Sequence, residues 1–536
     1  MKNEFKFIPT VDWSGVMRGD DESQDSMWKG VSENDTPLSL MVRELIQNSI
    51  DANDSAKANI KICLKTIDLS FLDKKGLIES LDHCIKETKK QNTKGRFLAF
   101  KEEVNREFNN LKCLIIEDES GGLDGTSRFK KGGLRSIVGE NFSEKPSSDL
   151  GSFGVGKSTA IRLSSFGTVF YLNQKDGLKK LIGNSILSGF TKGTEAFYGP
   201  NVFCGKETIN GSEKVSDWNE FDDNDNIRSL NKDGLTTVVP IGNNNLIHEN
   251  IDWIQTSLLS SIKSYFKSFE NNSLVLTLKD EINKKELIIN NSNYRDIYQS
   301  TLSKIEGEEL NPLFFHNILI SKPYILNKDL IDTQETSLSV SLKNSSSYET
   351  EKFSGTFKVM MYKNYELKEL MESNSMSIDL THNFRLTRGS ILIRNFKLPN
   401  YDRKRRLESN LYCGLVELKK ADKKSDSKPL DELIRILETQ SHDTLDITKL
   451  EKNYSNEESI KSFKRNIIDK LNRLIIKMIN EQVKKDKKNL TEIDINFDLT
   501  GNQGGNNSQG GYYREVIGVG ENIKKAISNS GVTTEK

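Results

Sequence analysis

DLGSFGVGKSTAIRLSS occupies residues 149–165. Within it, Gly151, four residues and then Gly156, Lys157 and Ser158 satisfy a phosphate-loop pattern letter for letter. That pattern has a physical requirement. A buried strand must lead into the first glycine and aim backbone N–H groups at the phosphates. The residues that lead in here are ENFSEKPSSDL (140–150), which include Pro146 and several charges. They do not read as a buried strand, so the P-loop NTPase reading is set aside. What remains is a glycine-rich loop that runs into a helical pattern from Thr159 to Ser165.

Two upstream segments carry further chemistry. SLMVRELIQNSIDA (39–52) places Leu40, Val42, Leu45, Ile46 and Ile50 at helical spacing, and Asp35-Thr36-Pro37 supplies a start signal. Glu44 and Asn48 lie four apart, so they share one face of that helix. LKCLIIED (111–118) is a short apolar run that stops at Asp118, as a buried strand does when its end carries polar chemistry. ANIKICLKTIDLS (58–70), FGTVFYL (166–172) and LTTVVPI (235–241) also read as strands. Residues 1–35 are polar and turn-rich, 71–110 read as an insertion of two helices, and 119–150 as a long loop.

Taken in order, RELIQNSIDA (43–52), DESGGL (118–123) and GSFGVG (151–156) resemble the GHKL ATPases. The resemblance covers about residues 30–245 and is closest to the heat-shock chaperone HtpG-like and MORC-like branches. It implies an ATP-binding Bergerat-fold α/β sandwich and Mg²⁺. By resemblance, Glu44 is the general base that activates the attacking water, Asn48 is the Mg²⁺ ligand, and Asp51 supports the site one turn on. Asp118 accepts a hydrogen bond from the adenine amino group, and Gly122 lets the chain pass close to the base. Gly151, Gly154 and Gly156 let lid N–H groups approach the β- and γ-phosphates, and Lys157 is a phosphate contact. Thr236 matches a late strand threonine near the adenine, with Thr237 adjacent. Ser120 stands where the family pattern has its first glycine.

The expected fold class is α+β, a Bergerat-fold sandwich followed by a transducer-like α/β domain and a helical C-terminal region. The boundaries read as 1–250 for the ATP-binding domain, 251–430 for the transducer-like domain, 431–497 for the helical region and 498–536 for a flexible tail. A basic residue of the transducer-like domain that reaches the terminal phosphate is sought in TRGSILIRN, at Arg388, Arg394 or Lys397; exposed arginines on a strand edge are the competing reading.

Composition narrows the function classes. The chain has 536 residues, with Lys+Arg and Asp+Glu both at 77, so no global charge points to nucleic acid. The five cysteines show neither disulfide nor zinc spacing. The N-terminus lacks the apolar core of a signal peptide, and no run is long enough for a membrane helix, so a cytoplasmic protein is expected. The histidines lack a phospho-acceptor context, which disfavours a sensor kinase. The C-terminal half offers no cleavage module, which disfavours a topoisomerase. The resemblance implies ATP hydrolysis, homodimerisation on ATP binding and a part in bacterial anti-phage defence. A client-protein chaperone, a nucleotide-gated DNA clamp and an ATP sensor with little turnover stand as alternatives.

Overall fold

The computed structural model describes residues 6–11, 36–52, 57–106, 108–119, 156–185, 187, 190–192, 195–204, 216–217, 234–242, 252–305, 321–363, 384–388, 391–396, 412–419, 427–438, 445–454 and 456–500. The chain is α+β and divides into two compact units. The first is Met1–Asn311 with the short pieces Ser390–Leu392 and Glu438–Leu445; the second is the remainder.

In the first unit, eleven strands form one sheet. They are β1 (Lys6–Val11), β2 (Ala58–Ile67), β3 (Leu111–Asp118), β4 (Thr168–Lys175), β5 (Leu178–Ser185), β6 (Phe190–Lys192), β7 (Glu195–Cys204), β8 (Ser216–Asp217), β9 (Gly234–Pro240), β10 (Leu274–Asp280) and β11 (Lys285–Ile289). Their order is β1-β7-β5-β4-β9-β3-β2-β10-β11, with β6 on β7 and β8 on β5. Polar, turn-rich sequence was expected over 1–35, yet β1 pairs with β7 at one edge. The β2, β3, β9, β4 and β5 neighbours are all antiparallel. Such a sheet differs from the parallel one that βαβ units build.

Both faces of the centre are covered, and this explains the apolar run Cys113–Ile116 in β3. Helices α1 (Pro37–Ala52), α2 (Lys74–Glu87), α3 (Gln91–Asn105), α4 (Gly156–Leu163), α5 (Trp253–Glu270) and α6 (Tyr294–Ile305) supply the cover. On one face, Leu77 and Leu81 of α2 and Phe97 and Phe100 of α3 share a core with Cys63, Cys113, Ile115, Phe170, Leu172 and Val238. The 71–110 insertion is therefore a helical hairpin that roofs the sheet. Helix α1 packs against α4 and α5. Tyr265 of α5 donates its hydroxyl to the Arg43 carbonyl at 2.6 Å, and the Ser39 and Ser260 hydroxyls meet at 2.9 Å.

The segment from 251 onward was read as the start of the second domain. Its α5, β10, β11 and α6 instead lie within the first unit, up to Asn311. The cause is β10, which joins the sheet parallel to β2, Leu276 opposite Ile60. Asp252 starts α5 with a capping box to Gln255.

The second unit has a mixed sheet of β12 (Leu330–Lys343), β13 (Thr350–Lys363), β14 (Phe384–Arg388), β15 (Ile391–Phe396) and β16 (Tyr412–Leu418), in the order β12-β13-β16-β14-β15. Helix α7 (Leu430–Leu437) follows. A continuous rod then runs through α8 (Asn456–Phe463), a π turn (Lys464–Ile468) and α9 (Asp469–Thr500). Phe463, Ile467, Leu471 and Ile475 are all buried, and each lies four residues from the next. Four-residue steps overshoot an α-helical turn by about 40° each. The wider π turn absorbs that drift and keeps the apolar row facing the sheet. Asp486 on α9 accepts from Lys363 at 2.8 Å and from the Tyr412 hydroxyl at 3.0 Å, tying the rod to β13 and β16. The tail beyond 500 lies outside the described residues.

Candidate functional site

The helix motif and the strand-end motif meet. Ser49 of α1 donates its hydroxyl to Asp118 Oδ2 at 2.6 Å, with Oγ also 3.0 Å from the Leu45 carbonyl. This contact joins residues 69 apart in sequence. It fixes Asp118 beneath the C-terminal half of α1. The neighbouring Glu117 points to the other side of the pleat, where Lys61 holds it at 2.9 Å. The two adjacent carboxylates are thereby separated: one is neutralised against Lys61, the other faces α1.

Glu44 lies one turn before Asn48 on α1. Its side chain is 7% exposed and makes neither hydrogen bond nor ion pair among the described residues. Asn48 is exposed. Asp51 is helical, but its side chain lies outside the description. Two further polar atoms nearby in sequence or register are buried without hydrogen-bond partners among the described residues, Gln47 Nε2 and the Tyr171 hydroxyl. Burial pushes the Tyr171 hydroxyl pKa upward.

The strand register separates the two candidate threonines, Thr236 and Thr237. Asp118 lies opposite Leu235, and Ile116 opposite Thr237, while Thr236 lies opposite Glu117. Opposed residues in an antiparallel pair share a face. Thr237 and its cross-strand neighbour Tyr171 therefore lie on the Asp118 face. Thr236 lies on the opposite face, the one that carries Val238 and the helical hairpin core. A one-residue shift in β9 exchanges the two faces, and no periodicity in LTTVV distinguishes them.

Gly234 is a site element that sequence reasoning missed. Its φ is +124°, and a Cβ there would lie 2.0 Å from the Asp118 carbonyl oxygen. Only glycine lets β9 begin against Asp118 at this distance. The visible signal was a glycine directly before a strand. A similar omission was Ser49, a small hydroxyl hidden between Asn48 and Ile50.

Helix α4 begins at Gly156, where backbone N–H groups are free of helical partners and favour an anion. The side chain of Lys157 lies outside the description. Gly122, Gly151, Gly154 and Ser120 lie outside the described residues. A small apolar gap lined by Ile67, Phe170, Leu172 and Val238 lies on the far face of the sheet and has no polar lining. Among the described residues, no group of three or more His, Cys, Asp or Glu side chains could hold a metal ion.

In the second unit, Arg388 is 1% exposed, with its guanidinium 3.8 Å from Asp431. It is not an exposed strand-edge arginine, since it is buried and β14 lies between β16 and β15. The side chain of Arg394 and all of Lys397 lie outside the description. No described helix is long and apolar enough to cross a membrane. Cys63, Cys84, Cys113 and Cys413 are buried thiols outside any disulfide.

No protein-family model and no curated protein matches the chain. Among solved structures it is similar to the 43K ATPase domain of Thermus thermophilus gyrase B in complex with an aminocoumarin, at 12% identity and TM-score 0.28, over 86% of this chain and 92% of that one. It is also similar to the topoisomerase IV ATP-binding domain of Francisella tularensis in complex with a small-molecule inhibitor, at 14% identity and TM-score 0.27, over 87% and 99%. A third is the N-terminal domain of a DNA repair protein, at 12% identity and TM-score 0.29, over 81% and 94%. Identities and TM-scores are low in all three.

Proposed function

We propose that the chain is an ATPase of the GHKL superfamily, nearest the HtpG-like and MORC-like branches, with its nucleotide on the Asp118 face of the first unit. The observation that carries this reading is the Ser49–Asp118 hydrogen bond, which brings two of the three motif segments to one place. Asp118 accepts from the adenine amino group. Guanine presents a carbonyl there, which would leave the carboxylate facing another acceptor. Thr237 takes the part assigned to Thr236, because it shares that face.

Glu44 is the general base for the attacking water; its position on α1, one turn before Asn48 and in a residue only 7% exposed, supports the role. Asn48 would hold Mg²⁺, which neutralises phosphate charge when bound. Asp51 supports the site, and the start of α4 with Gly122, Gly151, Gly154, Gly156 and Lys157 cradles the nucleotide. ATP binding closes the lid and pairs two copies of the chain. The second unit acts as the transducer, and the system served is anti-phage defence. Glu44→Ala tests the chemistry. It retains ATP binding and loses roughly 10²–10⁴-fold in phosphate release, the range for a general base. Turnover at the wild-type rate in this variant removes Glu44 from that role.

A further inference from the structure

The chain balances its charges at 77 and 77, and the rod 456–500 nearly does, with ten basic and eight acidic residues, but its stretch 461–484 is basic. Between 461 and 484 there are seven basic residues and two acidic ones, Asp469 and Glu481. Lys461, Arg465, Lys470, Arg473, Lys477 and Lys484 are all exposed. Arg465, Lys470, Arg473 and Lys484 make no ion pair among the described residues, and Lys477 reaches Glu481 only at 3.8 Å. The π turn matters here as well. Its extra residue keeps Lys461 and Arg465 in phase with Arg473, opposite the buried Phe463–Ile475 row. Without it, the four-residue spacing would wind the cations around the rod by about 40° per step.

From these observations we infer that the outer face of the rod is a docking surface for duplex DNA, read through its phosphates and without base specificity. Lys461 to Lys484 spans about 35 Å at 1.5 Å per residue. That is close to one turn of B-DNA, about 34–36 Å. The alternatives lack what they need. A membrane surface requires an apolar face to insert, and the apolar face of this rod is buried in the unit. Single strands are held by exposed aromatic platforms, and Phe463, the one aromatic in this span, is fully buried. Protein partners are anchored by apolar or aromatic hot spots, and the six exposed residues of the row carry none. The inference stands on the second unit alone and does not depend on ATP binding.

The test uses the full chain and a fluorescently labelled duplex of about two helical turns, with anisotropy read from roughly 50 to 200 mM salt. The wild type binds with a log–log salt slope of about −5, for six contacts at about 0.9 each. The variant R465E/R473E/K477E binds more than roughly tenfold more weakly and loses about 3 from the slope. R465Q/R473Q/K477Q falls between them. K75E/K89E/K284E carries the same change in net charge on exposed residues elsewhere, and it binds as the wild type does. All variants keep the wild-type thermal unfolding midpoint, since the residues are exposed. The inference is overturned if the wild type does not bind the duplex, if both charge-reversed triples lose equally, or if the single strand or an acidic polypeptide binds more tightly than the duplex.

Discussion

Replacing Gly234 by alanine tests whether β9 and Asp118 are held as the structure places them. At φ +124° an L-residue sits in backbone space that costs about 1–3 kcal/mol. The added Cβ also lies 2.0 Å from the Asp118 carbonyl oxygen and 3.1 Å from its carbon. Relieving that overlap requires β9 and the end of β3 to move apart, at a further cost of about 1–3 kcal/mol. The sum is on the order of 3 kcal/mol or more. Urea unfolding followed by tryptophan fluorescence reads this unit selectively, because Trp13, Trp28, Trp218 and Trp253 all fall within Met1–Asn311. With a slope near 3 kcal/mol per molar, the midpoint drops by about 1 M. Gly177→Ala is the internal control. Its φ is +76° but no atom lies within 4 Å of a new Cβ, so it carries the backbone cost alone and falls by less. If Gly234→Ala unfolds at the wild-type midpoint, or no lower than Gly177→Ala, the close approach at Asp118 is wrong.

Ser49→Ala removes the hydroxyl that holds Asp118 and lowers the stability of the first unit by about 1.5–3 kcal/mol, measured by the same titration. Thr237→Val weakens ATP binding while Thr236→Val leaves it within about twofold; equal effects in calorimetry would contradict the face assignment from the register. Burial first, then the Glu281 charge, pushes the Cys63 thiol up to about 11. At pH 8 that leaves about one thiolate in a thousand. Native Cys63 and Cys113 therefore react with a thiol reagent only as the protein unfolds, and rapid native labelling of either would refute their burial.

Much of the first unit was legible because its signals are local. The 3.6-residue pattern of Leu40, Val42, Leu45, Ile46 and Ile50 marked α1, and the apolar run ending at Asp118 marked β3 to the residue. The helical hairpin showed through Leu77, Leu81 and Phe97, Phe100. What was not legible depends on pairing across long separations. Strand β1 is a short segment, KFIPTV, interrupted by Pro9 and set in polar, turn-rich sequence, and its partner β7 lies nearly 200 residues away. Strand β10 reads like any alternating segment, and only its parallel partner β2, more than 200 residues away, assigns it to the first unit. The choice between Thr236 and Thr237 is a matter of register, which two adjacent threonines cannot encode. The π turn was latent in apolar residues at every fourth position, a period that matches neither a strand nor an ideal helix.

The central claim is that adenine is read by Asp118 on the α1 side of the sheet. Calorimetric titration of the full chain with ATP and with GTP, each with Mg²⁺, tests it most directly when repeated on Asp118→Ala. The account predicts saturable heat with ATP, little or none with GTP, and loss of the ATP signal in the variant. Absence of heat with ATP, or equal binding of both nucleotides that survives the loss of Asp118, would contradict it.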